Sequence, residues 1–323
     1  MKSYISNLKQ SLSHHTIPTY PVFKKLSIED RRSMTAKTTQ FQPYSDFNFT
    51  SLYCWSGETA SEIALLNNNI VIRLPHYLDG SKVYSVMGTH KIDETLLELL
   101  AHTDDLSLVP DVVINNIKNP EMFTVNEDPD NHDYLYDIEK LSTLEGADYK
   151  KLRNKVNKFE RDHSEHDLKI IVTTTIHSDR AKNIRAIDEK WKKLHTGESL
   201  DIRSERQALE KLLENSDKLN LIIVELLIDG EIKAFSINEL LAEGYAICHF
   251  EKALKEHHDY LATYFVKIVA QEIKKHGCRF VNWEQDLGLE GLRHSKLSYR
   301  PALMLKKYSV STSSKIGQKL NDI

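Results

Sequence analysis

The chain has 323 residues, of which 40% are hydrophobic and 28% are charged, and its formal net charge is -4. This length and composition predict a folded protein of about two domains with a sizeable core. The small negative charge excludes a protein that is basic throughout, as dedicated nucleic-acid binders often are.

The cysteines and the hydropathy pattern restrict the class of protein further. Cys54, Cys248 and Cys278 are odd in number and widely spaced, which fits neither a disulfide framework nor a zinc site. We therefore expect buried thiols and no bound metal. No apolar run approaches the ~20 residues that cross a bilayer, and the polar first residues do not resemble a signal peptide. The sequence predicts a cytoplasmic protein without a transmembrane segment.

The first half of the chain mixes strand and helix patterns. Residues 1–20 are polar, and aromatic and β-forming residues cluster at 47–55 (FNFTSLYCW). Short β-like runs follow at 70–74 and 83–86, and residues 91–103 have helical spacing.

Residues 147–161 (ADYKKLRNKVNKFER) predict an amphipathic helix, because apolar residues recur at helical spacing. The other face carries six basic and two acidic side chains. Such a face either binds phosphates or is simply solvated. The candidates for phosphate binding here are Arg153, Asn154 and Lys155.

The second half has a regular order of predicted elements. Strands are expected at 168–173, 221–228, 232–240, 245–252, 280–285 and 302–308, and helices at 260–275 and 289–297. Asp229-Gly230 predicts a hairpin turn, and Gly277 predicts a left-handed helix cap. This order is that of an N-acetyltransferase fold, although other α/β layers share parts of it.

A lysine ends the predicted strand at 245–252. With period two, Ala246, Cys248, Phe250 and Lys252 share a face, which is largely apolar. A lysine there is either partly desolvated and able to polarise a carbonyl, or it extends to solvent from the strand end. Lys252 is therefore a candidate catalytic residue.

Acidic residues mark the next predicted strand. Asn282, Glu284 and Asp286 share a face there, and polar groups in a central strand are costly to bury unless they are paired. Glu284 and Asp286 are candidates for a general base or for the anchor of a substrate ammonium group. The alternative is a structural network with Arg293 or Lys296.

Residues 291–307 contain five basic residues and no acid. On a helix, Arg293 and Lys296 project together, and Arg300 follows shortly afterwards. The three are candidates for binding phosphates of tRNA, coenzyme A or a lipid head group, with a solvated face as the alternative. Tyr299 is a further catalytic candidate, as a proton donor or as a ring against the ligand, and core packing is its alternative role.

Longer motifs carry a family resemblance. Residues 282–308 (NWEQDLGLEGLRHSKLSYRPALMLKKY) resemble the phosphatidylglycerol lysyltransferase C-terminal-domain family. FNFTSLYCW, DYLYDIEKLSTLEGADYKKLRNKVNKF and CHFEKAL match in the same order, so the resemblance covers about 21–308. It implies an α+β protein of two fused GNAT-like folds, with mostly antiparallel sheets flanked by helices, related to the Fem peptidyltransferases. We expect domains at 21–165 and 166–310, between a polar segment at 1–20 and a tail at 311–323.

The resemblance also implies an activity. In the characterised branch of the family, an amino acid moves from aminoacyl-tRNA to a lipid hydroxyl. We therefore expect an acyltransferase with aminoacyl-tRNA as donor, a lipid or small-molecule acceptor, and no tightly bound cofactor. An acyl-CoA donor and a non-catalytic binding protein are the alternatives. Residues 253–260 (ALKEHHDY) lack the glycines with which acetyl-CoA enzymes of this fold hold the pyrophosphate, which argues against coenzyme A in the second half.

Overall fold

The structure is a computed structural model that describes residues 16–56, 60–75, 81–194, 202–254 and 260–313. Most of the predicted polar segment and C-terminal tail lies outside these residues, as do five residues of the 253–260 connection.

The chain forms two compact units. Unit 1 comprises residues 1–132 and 305–323, and unit 2 comprises residues 133–304. The predicted boundary between 165 and 166 falls inside unit 2, because the strand and helices that precede residue 165 belong to the sheet and core of that unit.

The strands are, in chain order, β1 (Lys24–Lys25), β2 (Glu62–Leu66), β3 (Asn69–Pro75), β4 (Lys82–Met87), β5 (Asp105–Pro110), β6 (Phe123–Glu127), β7 (Asp133–Asp137), β8 (Leu168–Thr173), β9 (Leu221–Ile228), β10 (Glu231–Leu240), β11 (Tyr245–Ala253), β12 (Phe280–Asn282), β13 (Leu303–Leu305) and β14 (Lys307–Thr312). The α-helices are α1 (Arg31–Thr38), α2 (Phe49–Cys54), α3 (Ile92–Leu100), α4 (Asp111–Ile114), α5 (Ile138–Thr143), α6 (Lys150–Asp162), α7 (Ser178–Leu194), α8 (Ile202–Glu214), α9 (Leu261–Lys275) and α10 (Glu290–Ser298). No helix in the described part of the chain combines the length and the apolar character that crossing a bilayer requires.

Unit 1 contains two sheets. One has the order β1-β2-β3-β4 and is antiparallel, and the other has the order β5-β14-β6. Buried β-branched residues such as Val71 and Val86 face α3 and its leucines in one core. The returning strand β14 also brings in Lys307, which is fully buried and paired with the equally buried Asp46.

Unit 2 is built on a seven-stranded sheet with the order β13-β7-β12-β11-β10-β9-β8. Strands β8 to β11 run antiparallel, and β12 lies parallel to β11. Asp229 and Gly230 both have positive φ, as the tight hairpin between β9 and β10 requires, so the predicted turn is confirmed.

Helices cover both faces of this sheet. One face, which we call the α9 face, packs its buried aliphatic residues against α9, and α9 also packs on α5 and α6. The other face packs against α7 and is called the α7 face. Gly277 follows α9 with a φ of 78°, which confirms the predicted left-handed cap.

A β-bulge in β11 changes the predicted pattern of faces. Ile237 of β10 pairs with Phe250 and the next residue of β10, Asn238, pairs with Cys248, so His249 is an extra residue in β11. Because the bulge resets the alternation, Cys248 lies on the α9 face whereas Phe250 lies on the α7 face. The expectation that Ala246, Cys248, Phe250 and Lys252 share a face is therefore wrong.

Candidate active site

A gap opens in the sheet between β11 and β12. The two strands pair in parallel over only three residue pairs, from Tyr245 with Phe280 to Ile247 with Asn282. Strand β12 then ends, whereas β11 continues to Ala253. In the described residues, the second half of β11 therefore has no strand beside it on this edge.

Polar side chains collect next to this gap, on the α9 face. Ser236 of β10 pairs with Glu251 of β11, and Asn238 pairs with Cys248. Directly opposed residues have Cβ atoms ~5 Å apart, so these four side chains form one patch. We call the patch, together with Thr263 and Tyr299, the polar cluster; its members are Ser236, Asn238, Cys248, Glu251, Thr263 and Tyr299.

Glu251 is the acid of the polar cluster. Its Oε2 atom is enclosed and has no hydrogen-bond partner among the described residues. Burial raises the pKa of the Glu251 carboxyl to about 7, and no cation among the described residues opposes this shift. A carboxyl with such a pKa exchanges a proton readily near neutral pH.

A second unpaired acceptor lies beside Glu251. Asn238 is fully buried and donates from Nδ2 to Ser236 Oγ over 2.9 Å, but its Oδ1 has no partner among the described residues. Buried acceptors without donors are rare and costly. Two of them in one patch indicate a place for a ligand that brings its own N–H or O–H groups.

Tyr299, the residue that follows α10, closes the cluster beside Thr263 at the start of α9. Its ring packs edge-on against Trp283 at a centroid distance of 5.2 Å, which matches the alternative of core packing. Burial raises the pKa of Tyr299 to about 12, while a hydrogen bond with Thr263 acts in the opposite direction. The hydroxyl therefore stays protonated near neutral pH, and the ring packs in the hydrophobic core next to the cluster.

Asp286 and Arg293 form a closed network. Arg293 donates to both carboxylate oxygens of Asp286 over 2.9 and 2.8 Å, and the Tyr134 hydroxyl and the Gly288 backbone N–H donate as well. Burial by itself would raise the pKa of Asp286, but the hydrogen bonds outweigh it and lower the pKa. This arrangement corresponds to the structural network that the sequence offered as the alternative.

Lys296 is buried beneath the loop that follows β12. Its Nζ donates to three backbone carbonyls, of Trp283 at 2.5 Å, Glu284 at 3.1 Å and Gln285 at 2.6 Å. An ammonium group has three N–H donors, so all of them are used. Burial lowers the pKa of Lys296 to about 8. In this arrangement Lys296 stabilises the loop instead of projecting with Arg293 toward a phosphate.

Glu284 takes part in a buried charge cluster on the bulge. Strand β12 ends at Asn282, so Glu284 lies in the following loop, with a φ of 56°. Its Oε1 is 3.7 Å from Nδ1 of His249, and Oε2 of Glu239 is 3.4 Å from Nε2 of the same ring. Burial would lower the pKa of His249, but the two carboxylates raise it to about 9.

The raised pKa of His249 predicts a pH-dependent stability. The contribution of the imidazolium is complete below the unfolded pKa of ~6.5, falls between pH 6.5 and 9, and is absent above pH 9. We expect His249→Gln to cost on the order of 2 kcal/mol at pH 6 and much less at pH 10. Urea unfolding at both pH values measures this difference. His276→Gln, at an exposed position, is the control, and an equal cost of His249→Gln at both pH values would contradict the assignment.

Lys252 lies away from the polar cluster, on the α7 face. Its Nζ is 2.5 Å from Glu205 Oε1 and 3.7 Å from the centroid of the Trp191 ring, and the residue is buried. The lysine is thus desolvated, as one interpretation of the sequence expected, but a carboxylate and an aromatic ring hold its charge. Here it joins α7 and α8 to the sheet.

The basic candidates on α6 divide into two groups. Arg153 donates to the backbone carbonyls of Leu144 and Gly146, and so closes the end of α5. Asn154 is exposed and Lys155 is half-buried. The Tyr149 hydroxyl, just before α6, donates to the backbone carbonyl of Arg300 over 3.4 Å, which places exposed Arg300 beside the start of the helix. We call Lys150, Lys151, Lys155 and Arg300 the basic surface.

The structure therefore brings together a different set of residues from the predicted one. Tyr299 is part of the polar cluster and Arg300 is part of the basic surface, whereas Lys252 is on the opposite face of the sheet. Sequence reasoning missed Ser236, Asn238 and Glu251. The available signal was a polar residue at an inward position of an otherwise apolar strand, as in SINEL and CHFEK.

The fold has solved relatives. A protein of unknown function from Bacteroides thetaiotaomicron is 26% identical, with a TM-score of 0.77 over 92% of this chain and 100% of that one. L-PGS from Bacillus licheniformis is 15% identical, with a TM-score of 0.60 over 92% of this chain and 96% of that one. The C-terminal domain of a protein described as a lysylphosphatidylglycerol synthetase, from Agrobacterium fabrum, is 13% identical, with a TM-score of 0.61 over 90% and 94%. These structures share the predicted α+β fold of two fused GNAT-like halves.

Comparison of the sequence with curated proteins gives no match. Comparison with protein families gives a match that runs over residues 38–311, to the family described as phosphatidylglycerol lysyltransferase, C-terminal. Both units contribute to the matched region. The chain therefore belongs to the phosphatidylglycerol lysyltransferase C-terminal family.

Proposed function

We propose that this protein is an aminoacyltransferase, which takes an amino acid from aminoacyl-tRNA and transfers it to a hydroxyl or amine of a lipid or small molecule. Family membership supports the reaction class. The observation that carries the proposal is the position of two neighbouring residues in unit 2. Tyr299 lies at the polar cluster, and Arg300 extends to solvent beside the basic surface. A polyanionic donor bound to that surface would have its acyl end near the cluster.

The chemistry of the cluster suits an ester donor. Attack on an ester requires removal of one proton from the nucleophile and stabilisation of a developing oxyanion. Glu251 is a proton acceptor of suitable pKa, and the Tyr299 hydroxyl is a neutral hydrogen-bond donor. The proposal requires no resident cofactor for these steps.

An acyl-CoA donor has less support. In unit 1 the helix that follows the three antiparallel strands is α3, and its first turn carries Asp93 and Glu94. Asp93 accepts hydrogen bonds from the backbone N–H groups of Lys118 and Asn119. Negative charge at that helix start disfavours a pyrophosphate. We therefore retain acyl-CoA as the second candidate donor, and thiol release from mixed acyl-CoAs would be its test.

The test of the proposed donor is binding of charged and uncharged tRNA across a salt series. Lys155→Ala/Arg300→Ala is expected to weaken binding about tenfold and to reduce the slope of log affinity against log salt by about 1 to 2. Lys182→Ala/Lys190→Ala is the control, because it removes the same charge from exposed positions on α7. Equal losses in both variants, or no binding at low salt, would contradict the donor assignment.

A further inference from the structure

Glu251 differs from the other acids near the sheet gap because its Oε2 atom is enclosed without a hydrogen-bond partner among the described residues. Two buried acids of unit 2 have cationic partners: Asp286 pairs with Arg293, and Glu225 pairs with Arg180. Glu251 Oε2 has neither a hydrogen-bond donor nor a cation in the described residues. An enclosed carboxyl oxygen without a partner destabilises a fold, so its presence indicates another role.

We propose that Glu251 is the proton acceptor of the transfer reaction, which removes the proton from the attacking hydroxyl or amine. This inference rests on the proposed function. Its geometric basis is the position of Glu251 on β11, beyond the point where β12 ends and within the polar cluster. The nearest member on the neighbouring strand is Ser236, and the unpaired Oδ1 of Asn238 provides a second acceptor for N–H groups of the bound substrate.

The proton and bond changes balance without a further reactant. The acceptor oxygen or nitrogen attacks the ester carbonyl carbon of the aminoacyl group, and its proton passes to Glu251 Oε2. The bond between the carbonyl carbon and the terminal ribose oxygen breaks, and Glu251 returns the proton to that oxygen. The products are the aminoacylated acceptor and tRNA with a free hydroxyl, and Glu251 is again ionised.

Within the polar cluster, Glu251 is the group whose protonation changes near neutral pH. The charge of Glu251 raises the pKa of Cys248 and that of Tyr299, for both of which burial is the largest cause. Both groups therefore stay neutral through this range. On the neighbouring strand Ser236 and Asn238 do not titrate. Burial lowers the pKa of Lys296 to about 8, which is above that of Glu251, and three backbone carbonyls accept hydrogen bonds from its ammonium group.

The experiment measures transfer from aminoacyl-tRNA to hydroxyl- and amine-bearing acceptors as a function of pH. In the wild-type protein we expect kcat/KM to rise with pH, with a midpoint near the Glu251 pKa of about 7, and to level off above it. Glu251→Gln is expected to lose at least 100-fold in kcat and to lose this ionisation, whereas Glu251→Asp keeps the ionisation at reduced rate. Glu243→Gln removes the same charge at an exposed turn and is the control, with unchanged transfer.

The outcomes separate this inference from the proposed function. If the wild type transfers the amino acid and Glu251→Gln does so at a rate within threefold of it, or with the same pH profile, the role of Glu251 is overturned. The proposed function is not affected by that result. Absence of transfer in the wild type with every acceptor overturns the proposed function and this inference with it. Urea unfolding shows that the variant folds: we expect a higher midpoint for Glu251→Gln than for wild type at pH 8 and a similar one at pH 5. If Glu251→Gln does not fold, the pH profile of Glu251→Asp tests the role of Glu251 instead.

Discussion

Replacing Lys296 with methionine is expected to destabilise unit 2 by about 3 kcal/mol. The substitution keeps most of the unbranched side chain but removes the three N–H groups that bind the carbonyls of Trp283, Glu284 and Gln285. Each carbonyl left without a donor costs ~1 to 3 kcal/mol, and release of the buried charge offsets part of that sum. The loop would also lose the support that holds Trp283 against Tyr299. Urea unfolding at pH 7 measures the loss.

The matched control is Lys274→Met. Lys274 on α9 pairs with Glu139 over 2.5 Å, but both side chains are about half exposed. Exposed pairs of this kind contribute ~0 to 1 kcal/mol. A loss at Lys296 no larger than the loss at Lys274 would show that Lys296 is free, and would restore its candidacy as a phosphate ligand.

Replacing Lys307 with methionine is expected to destabilise unit 1 by about 4 kcal/mol. Lys307 and Asp46 are both completely buried and form an ion pair, and Lys307 Nζ also donates to Ser45 Oγ over 3.2 Å. Removing the ammonium leaves a carboxylate in an apolar interior, which is among the largest single costs that a substitution can impose. Chemical denaturation of the purified variant tests the value.

A double variant distinguishes the effect of losing the Asp46–Lys307 ion pair from the effect of losing side-chain packing. Asp46→Asn/Lys307→Met replaces both charges, so its cost should be smaller than that of Lys307→Met alone by at least ~1 kcal/mol. A double variant that is less stable than the single one would mean that the packing of the lysine stem, rather than the loss of the cation beside the Asp46 carboxylate, dominates the effect.

Much of unit 2 is predictable from local sequence signals. Strand β8 was predicted at 168–173 and lies at Leu168–Thr173, and the helix predicted at 260–275 lies at Leu261–Lys275. Hydrophobic period and a turn pair such as Asp229-Gly230 act within a few residues, so they are readable without the tertiary structure.

The structure differs from the sequence-based predictions where contacts between distant parts of the chain determine the local structure. The FNFTSLYCW stretch has β-forming residues, but Asn48 accepts a hydrogen bond from the Ser51 backbone N–H and starts helix α2. Strand β12 is only three residues long, because β11 and β7 pair with it only that far. The membership of β7 and β14 in their units depends on strand pairing across more than a hundred residues, which composition does not reveal.

The candidate site was only partly predictable for the same reason. The bulge at His249 moved Lys252 to the α7 face and left Cys248 on the α9 face. Polar candidates such as Asp286 and Lys296 were identified, but a sequence cannot show that tyrosine, arginine and backbone groups use up their hydrogen bonds. Glu251 was passed over because an acid next to Lys252 in CHFEK resembles an ordinary exposed pair.

The most direct test of the proposed activity follows the amino acid itself. Bulk tRNA charged with radiolabelled amino acids would be incubated with the protein, lipid vesicles and a panel of small hydroxyl and amine acceptors. If the protein is an aminoacyltransferase, label leaves tRNA in proportion to the amount of protein and appears covalently on an acceptor. Label that remains on tRNA, or that is released only as free amino acid at the rate of spontaneous hydrolysis, would contradict it.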